Sequence, residues 1–426
     1  MRRRKFYLQF DLKACDPESP FIQGVVLSRF VFFSSCSSPW GGSEELWAGA
    51  AALLAEGGHS VTIFKTCVDP NHPRICRLLA LGCHIRDLHQ VCLPCWIRLP
   101  RSLVRLTGRG PAQRAIRPLV RTLLTNLNPD LVVVSQGTNF DGLAYSDLCR
   151  ISGHPYVIIS QKATDYHWPL DKDRMVMRSA FQSALRCYFV SRHNLHLTEC
   201  QIGETLMNAE IVCNPFLVSG SLLPWPGNED HSIRLACVAR LDTGEKGQDI
   251  LLHVLARPRW RNRNLSVSFF GAGHNSEALR DLARLLALKK VDFPGFVSDV
   301  ESIWKTHHAL VLPSRTEGLP LTLIEAMMCG RFGIVTNEGG TSEVVEEGRT
   351  GFIANAAKVD ELDHAMERAW AMRENWESIG KAAGRAVRTM VPRDPVASFT
   401  AKLLELVDSR EHNRGNVYAC THKQSQ

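Results

Sequence analysis

The sequence predicts an α/β protein of two doubly wound domains in tandem, and three observations carry that prediction. Short, continuous, β-branched runs such as Leu131-Val-Val-Val134 and Tyr156-Val-Ile-Ile159 suit strands buried on both faces of a parallel sheet. Stretches with helical composition separate those runs, giving a strand–helix alternation. The alternation stops near Asn214-Pro215 and in Leu223-Pro-Trp-Pro-Gly-Asn-Glu-Asp230, which is rich in Pro, Gly and acid, and then restarts.

In the first half, residues 25–33 read as a buried strand and Ser37-Ser-Pro-Trp-Gly-Gly42 as a turn. Residues 44–56, rich in Ala and Leu, read as a helix closed by Gly57-Gly58, and residues 59–64 as the next strand. In the second half, strands are expected at 233–239, 266–270, 310–312 and 333–335. Helices are expected at 248–256, 276–288 and 321–329. The resulting division is an extension at 1–22, a Rossmann-like domain at 23–215 and a linker at 216–231. A second Rossmann-like domain follows at 232–395, then a C-terminal helix at 396–410 and a polar, disordered tail at 411–426. Ligands of such sheets bind at the carboxyl ends of the strands, so two facing domains should bind in the cleft between them.

Composition narrows the class. The chain has 426 residues, 45% hydrophobic and 22% charged, which fits a soluble globular protein of two domains. There is no run of eighteen apolar residues, and the expected location is the cytoplasm. The fourteen cysteines are scattered, many in apolar runs, and read as reduced, small hydrophobes. Cys92-Leu-Pro-Cys95, near Cys83 and His89, lacks the second pair that a zinc site needs, so no metal is expected. The net charge is +7, and Arg98, Arg101, Arg105, Arg109, Arg114, Arg117 and Arg121 form a stretch without a carboxylate. It reads either as a solvated face or as a peripheral contact with anionic lipid at the inner face of the membrane. No nucleic-acid-binding motif accompanies it, and none is expected.

Glu317 and Glu325, with seven residues between them, flank the start of the helix after the strand that ends at Leu312. Pro320 suits the first helical position, and the amides of Leu321 and Thr322 would then face a phosphate at a helix N-terminus. Glu325, one turn in, would look over the same cleft and accept hydrogen bonds from a vicinal diol such as a ribose. Arg240 and Lys246, between a strand and a helix, would hold a diphosphate, the arginine through its fork and the lysine as a point charge. Both could equally form surface ion pairs with Asp242 or Glu245. Gly41-Gly42, at the first strand–helix junction, would let a ligand approach the backbone.

Arg240 with Lys246-Gly247, Glu317 with Glu325, Gly41-Gly42, Gly339-Gly340 with Glu343, and Glu347-Gly348-Arg-Thr-Gly351-Phe together resemble family-4 glycosyltransferases of the GT-B fold. The resemblance implies transfer of a sugar from a nucleotide-diphosphate donor to an acceptor, with retention at the anomeric carbon and without a metal or other cofactor. It implies that Arg240 and Lys246 hold the diphosphate, Glu325 the ribose and Glu317 the donor sugar as the catalytic contact. It places the amides of Gly42, Leu321 and Thr322 at the phosphates, with Gly318 and Leu319 beside them, and Val297 near the base. Many members carry a histidine just after a strand of the first domain. Here Gln161 follows that strand and His167 comes later, so these two are the candidates for the acceptor side. A non-catalytic nucleotide-sugar-binding regulator and a nucleotide-sugar epimerase share the fold and remain alternatives.

Overall fold

The computed structural model describes residues 27–36, 38–88, 120–227 and 232–423, with side chains to residue 410 and at His412. The extension at 1–22, Cys92, Cys95, His89 and all of the basic stretch except Arg121 lie outside the described residues.

Among the described residues thirteen strands form two sheets, and every pairing within them is parallel. The first sheet contains β1 (Arg29–Ser34), β2 (Ser60–Lys65), β3 (His84–Asp87), β4 (Leu131–Gln136), β5 (Tyr156–Ser160), β6 (Arg186–Phe189) and β7 (Ala209–Ile211). Its order is β3-β2-β1-β4-β5-β6-β7. The second contains β8 (Ile233–Val238), β9 (Leu265–Phe270), β10 (Val291–Gly295), β11 (Ala309–Leu312), β12 (Phe332–Thr336) and β13 (Gly351–Ala354), in the order β10-β9-β8-β11-β12-β13.

β4 and β5 are buried at every residue, as strands covered by helices on both faces must be. In both sheets the order reverses beside the first strand, between β1 and β4 and between β8 and β11. Ligands of doubly wound folds bind at the carboxyl ends of such strand pairs. β3, β6, β7, β10 and β13 went unread in the sequence because charged or small residues interrupt their apolar pattern.

The last helix is one of the features that join the halves. The helix Pro395–Lys423 follows the second sheet but packs on the first. Phe399, Leu403 and Val407, four residues apart, are buried in one core with Phe30, Leu46 and Tyr188. Phe399 meets the Tyr188 ring edge-on at 5.2 Å, and Lys402 pairs with Glu210. The backbone stays helical to Lys423, past residue 410 where a disordered tail was expected. Among residues 411–423 there is no proline and only Gly415 weakens the helix, so no stop signal precedes the end.

Arg331, 1% exposed, ties the linker down. Its guanidinium donates to the carbonyls of Trp304 (2.7 Å) and Pro224 (2.6 Å) and lies over the Trp225 ring. Burial pushes its pKa down to about 10. No helix among the described residues is long and apolar enough to cross a membrane.

Candidate functional site

The loops after β1, β4, β8 and β11 converge on a cleft of about 640 Å³ between the two sheets. Gly41, Gly42, Gln161, Arg240, Lys246, Val297, Glu317, Gly318, Leu319, Leu321, Thr322 and Glu325 all line it. His167 does not; it lies exposed on the loop after β5, beyond the cleft wall. Two exposed residues, Asp165 and Tyr166, separate it from the largely buried segment Gln161–Thr164, which is why the two candidates part company.

Glu317 is the best-fixed of these side chains. Its Oε1 accepts from Lys246 Nζ at 2.6 Å and from the Ser314 hydroxyl at 2.7 Å, and the residue is 6% exposed. Lys246 reaches it because Thr243–Lys246 forms a single helical turn, started by the Asp242 side chain and ended by Gly247. Gly247 has φ of +63°, and a Cβ there would lie 2.0 Å from the Pro313 carbonyl oxygen. The turn can therefore press against the end of β11 only with glycine at that place.

Arg240 pairs with Glu245 at 2.6 Å, and Glu245 also receives Lys162 from the opposite domain at 2.8 Å. Burial alone would raise the Glu245 carboxyl, but Lys162, Arg240 and Lys246 outweigh it and hold it below the usual range. Arg240 and Lys246 thus each face a carboxylate, so the ion pairs that the sequence offered for Arg240 do form. They are of a kind that a diphosphate could replace, since its charge is larger and its oxygens are doubly accepting.

Leu321–Met328 begins at the cleft with no side chain capping its N-terminus and no acid in its first turn. Pro320 is the residue before the helix rather than its first, one position off the expectation, with ψ of 118°. Glu325, 3% exposed, accepts from the Leu217 amide at 3.0 Å. Burial, with little to offset it, raises its carboxyl to about 7.

The two walls touch. A Cβ on Gly42 would come within 2.8 Å of the Leu321 side chain, and one on Gly318 within 2.0 Å of the Gln161 carbonyl oxygen. Glu343 caps the opposing helix Arg192–Ile202, accepting from the amides of Arg192 (3.0 Å) and His193 (2.8 Å). A second, smaller pocket of about 140 Å³ lies on the other side of Glu317, lined by Thr164, Asp165, Tyr166, His193 and Glu338. Burial, then the Asp165 and Glu317 carboxylates, push Glu338 up to about 7.

Sequence reading missed what supports the loop after β1. Lys65 and Glu44 form an ion pair at 2.7 Å with side chains 0% and 1% exposed. Lys65 also donates to the carbonyls of Ser38 (3.1 Å), Thr66 (3.3 Å) and Cys36 (3.4 Å), and Ser34 donates to both Glu44 oxygens. Its signal was present: a lysine closing an otherwise apolar strand, Val61-Thr-Ile-Phe-Lys65. Among the described residues, no three His, Cys, Asp or Glu side chains converge as metal ligands.

Residues 232–372 match the family model for glycosyl transferases group 1. A 129-residue stretch is 36% identical to an uncharacterized glycosyltransferase of Haemophilus influenzae, covering 29% of this chain and 35% of that protein. A 144-residue stretch is 30% identical to a GDP-mannose-dependent α-(1-6)-phosphatidylinositol monomannoside mannosyltransferase of Mycolicibacterium smegmatis, over 31% of this chain and 37% of that one. The matches thus span little more than a third of either relative. HepE of Anabaena, solved with UDP-glucose, superposes with a TM-score of 0.66 over 90% of this chain and 100% of its own, at 17% identity. At that identity the likeness is one of fold.

Proposed function

We propose that the protein, whose residues 232–372 match the family model for glycosyl transferases group 1, transfers a sugar from a nucleotide-diphosphate donor to an acceptor, with retention and without a metal ion. One observation carries the reading: Lys246 and Glu317 meet at 2.6 Å in a cleft that also holds Arg240, an uncapped helix N-terminus and the buried Glu325.

In this reading Arg240 and Lys246 take the diphosphate, and the amides of Gly42, Leu321 and Thr322 complete its cradle. These are the groups that replace a divalent ion: fixed donors aimed where negative charge grows as the sugar leaves. Glu325 accepts the ribose hydroxyls, and Phe296 and Val297 border the base. Glu317 is held by Lys246 and Ser314, so its free oxygen is pre-set toward the sugar. The bond from the anomeric carbon to the phosphate oxygen breaks while the acceptor oxygen adds on the same face. The departing phosphate takes the acceptor's proton, so the reaction needs no protein nucleophile. Retention and independence of metal rest on the resemblance to family-4 enzymes. The acceptor side is assigned to Gln161, which lines the cleft.

The test is a panel of UDP- and GDP-sugars, with donor hydrolysis and transfer measured for wild type, Glu317→Gln and Lys246→Ala, each with and without EDTA. Both variants should lose at least about 100-fold in turnover, the loss expected of one removed transition-state contact, and EDTA should change nothing. Turnover that survives both substitutions would refute the site. Binding without turnover in wild type would favour a regulator, and interconversion of sugar epimers an epimerase.

A further inference from the structure

One carboxylate of the cleft sits between two cations that reach it from opposite walls. Glu245 Oε2 accepts from the Arg240 guanidinium at 2.6 Å, and its Oε1 accepts from Lys162 Nζ at 2.8 Å. Lys162 stands on the loop after β5, whereas Arg240 and Glu245 stand on the loop and helical turn after β8. The backbones of all three are pinned. The Lys162 carbonyl accepts from the Asn139 amide at 2.6 Å, and the Arg240 carbonyl from Gln248 Nε2 at 2.8 Å. The Glu245 carbonyl accepts from the amides of Arg315 (2.8 Å) and Thr316 (3.3 Å). A change of partners is therefore a movement of side chains. Lys162 is the most deeply set of the three, with its side chain 16% exposed, and Arg240 the least, at 47%, so the arginine turns away most easily.

A diphosphate entering the cleft meets Arg240 already engaged, and a carboxylate left in a part-buried site without a counter-ion is costly. Lys162 removes that cost, because it holds the other oxygen of the same carboxylate. We propose that Glu245 is an internal counter-anion that gives up Arg240 to the donor's diphosphate and is retained by Lys162, so that these two positioning residues set how tightly the diphosphate is held. This rests on the nucleotide-sugar reading above. The exchange runs both ways. When the nucleoside diphosphate leaves as product, Glu245 returns to Arg240 and competes for it, which speeds the departure. The retained pair also joins the two walls while the ligand is bound. An ordinary bridge between domains has two equivalent ends. Here the ends act in opposite directions, because Glu245 is the competitor and Lys162 is what holds the competitor aside.

The experiment uses the full chain as wild type, Glu245→Gln, Lys162→Met, Lys162→Arg and Glu245→Gln/Lys162→Met. Pyrophosphate, UDP and GDP are titrated against each by calorimetry at one ionic strength, after urea unfolding has shown each protein to be folded; Lys162→Gln replaces Lys162→Met if the latter does not fold. Glu245→Gln should bind the diphosphate about 10-fold more tightly and Lys162→Met about 10-fold more weakly, each the worth of one half-buried, charge-assisted hydrogen bond. Lys162→Arg should restore most of the affinity. In the Glu245→Gln background Lys162→Met should change affinity by less than about 3-fold, the long-range effect of one screened charge. That coupling separates a change of partners from charge alone, which would make the two effects add. The proposal is overturned if both single variants shift affinity in the same direction, if Glu245→Gln binds no more tightly, or if Lys162→Met costs as much without Glu245 as with it. If wild type binds none of the three diphosphates, the nucleotide-sugar reading itself fails and takes this one with it. If wild type binds one of them and the variants bind it equally, this proposal alone fails.

Discussion

The buried pair Lys65–Glu44 allows the sharpest test of how the cleft is built. Each side chain is almost wholly out of water, so neither charge can be stranded cheaply. Glu44→Gln leaves an ammonium among three carbonyls, and Lys65→Met leaves a carboxylate held by one hydroxyl; each should cost about 3–5 kcal/mol. Lys65→Met/Glu44→Leu removes both charges at similar volume and should fall within about 2 kcal/mol of wild type. Urea unfolding of the four proteins gives the coupling directly. The double variant should nonetheless bind nucleotide less well than wild type, because the carbonyls of Cys36 and Ser38 have lost the donor that fixes the loop leading to Gly41-Gly42. Single losses under about 1 kcal/mol, or a double loss equal to the sum of the singles, would refute the claim that this is a desolvated, mutually dependent pair.

Two further outcomes follow from the cleft. Glu325 has its carboxyl raised to about 7 by burial, above the ordinary 4.5, so its folded-state advantage is full below pH 4.5 and is lost as pH rises through 7. Unliganded wild type should therefore lose stability relative to Glu325→Gln over that window, by up to about 3 kcal/mol. Nucleotide affinity should rise over the same window in wild type alone, since ribose hydroxyls pair best with the ionised carboxylate; a pH profile parallel to that of Glu325→Gln would refute the ribose role. Glu343→Ala strands the amides of Arg192 and His193 and should cost about 1 kcal/mol by thermal melt. Because that cap crosses between the two domains, small-angle scattering should also show a larger radius of gyration; an unchanged radius would mean that the cap does not hold the cleft closed.

Much of the fold was legible because its signals are local. The β-branched runs at Leu131 and Tyr156 can be satisfied only inside a covered parallel sheet, and they became β4 and β5. Glycine, proline and acid between 214 and 230 marked the passage from one sheet to the other. The weak strands stayed hidden: β10, with Asp292 and Pro294, has no pattern to read, and only its pairing with β9 makes it a strand. His167 could be ranked beside Gln161 from sequence because both follow the same strand, and only the loop path separates them.

The sequence by itself determined the chemistry available at the cleft: two cations, two carboxylates and a helix start, each set at the end of a strand by short-range pattern. It could not determine which charges meet. Lys162 with Glu245, Glu343 with the amides of Arg192 and His193, and Gln161 with Asn214 are contacts between segments 53 to 151 residues apart. Tertiary structure decided these, and it decided that the last helix returns to the first sheet. The physical reason is that periodicity reports which face of an element is buried, whereas the partner buried against it depends on how the two sheets come together.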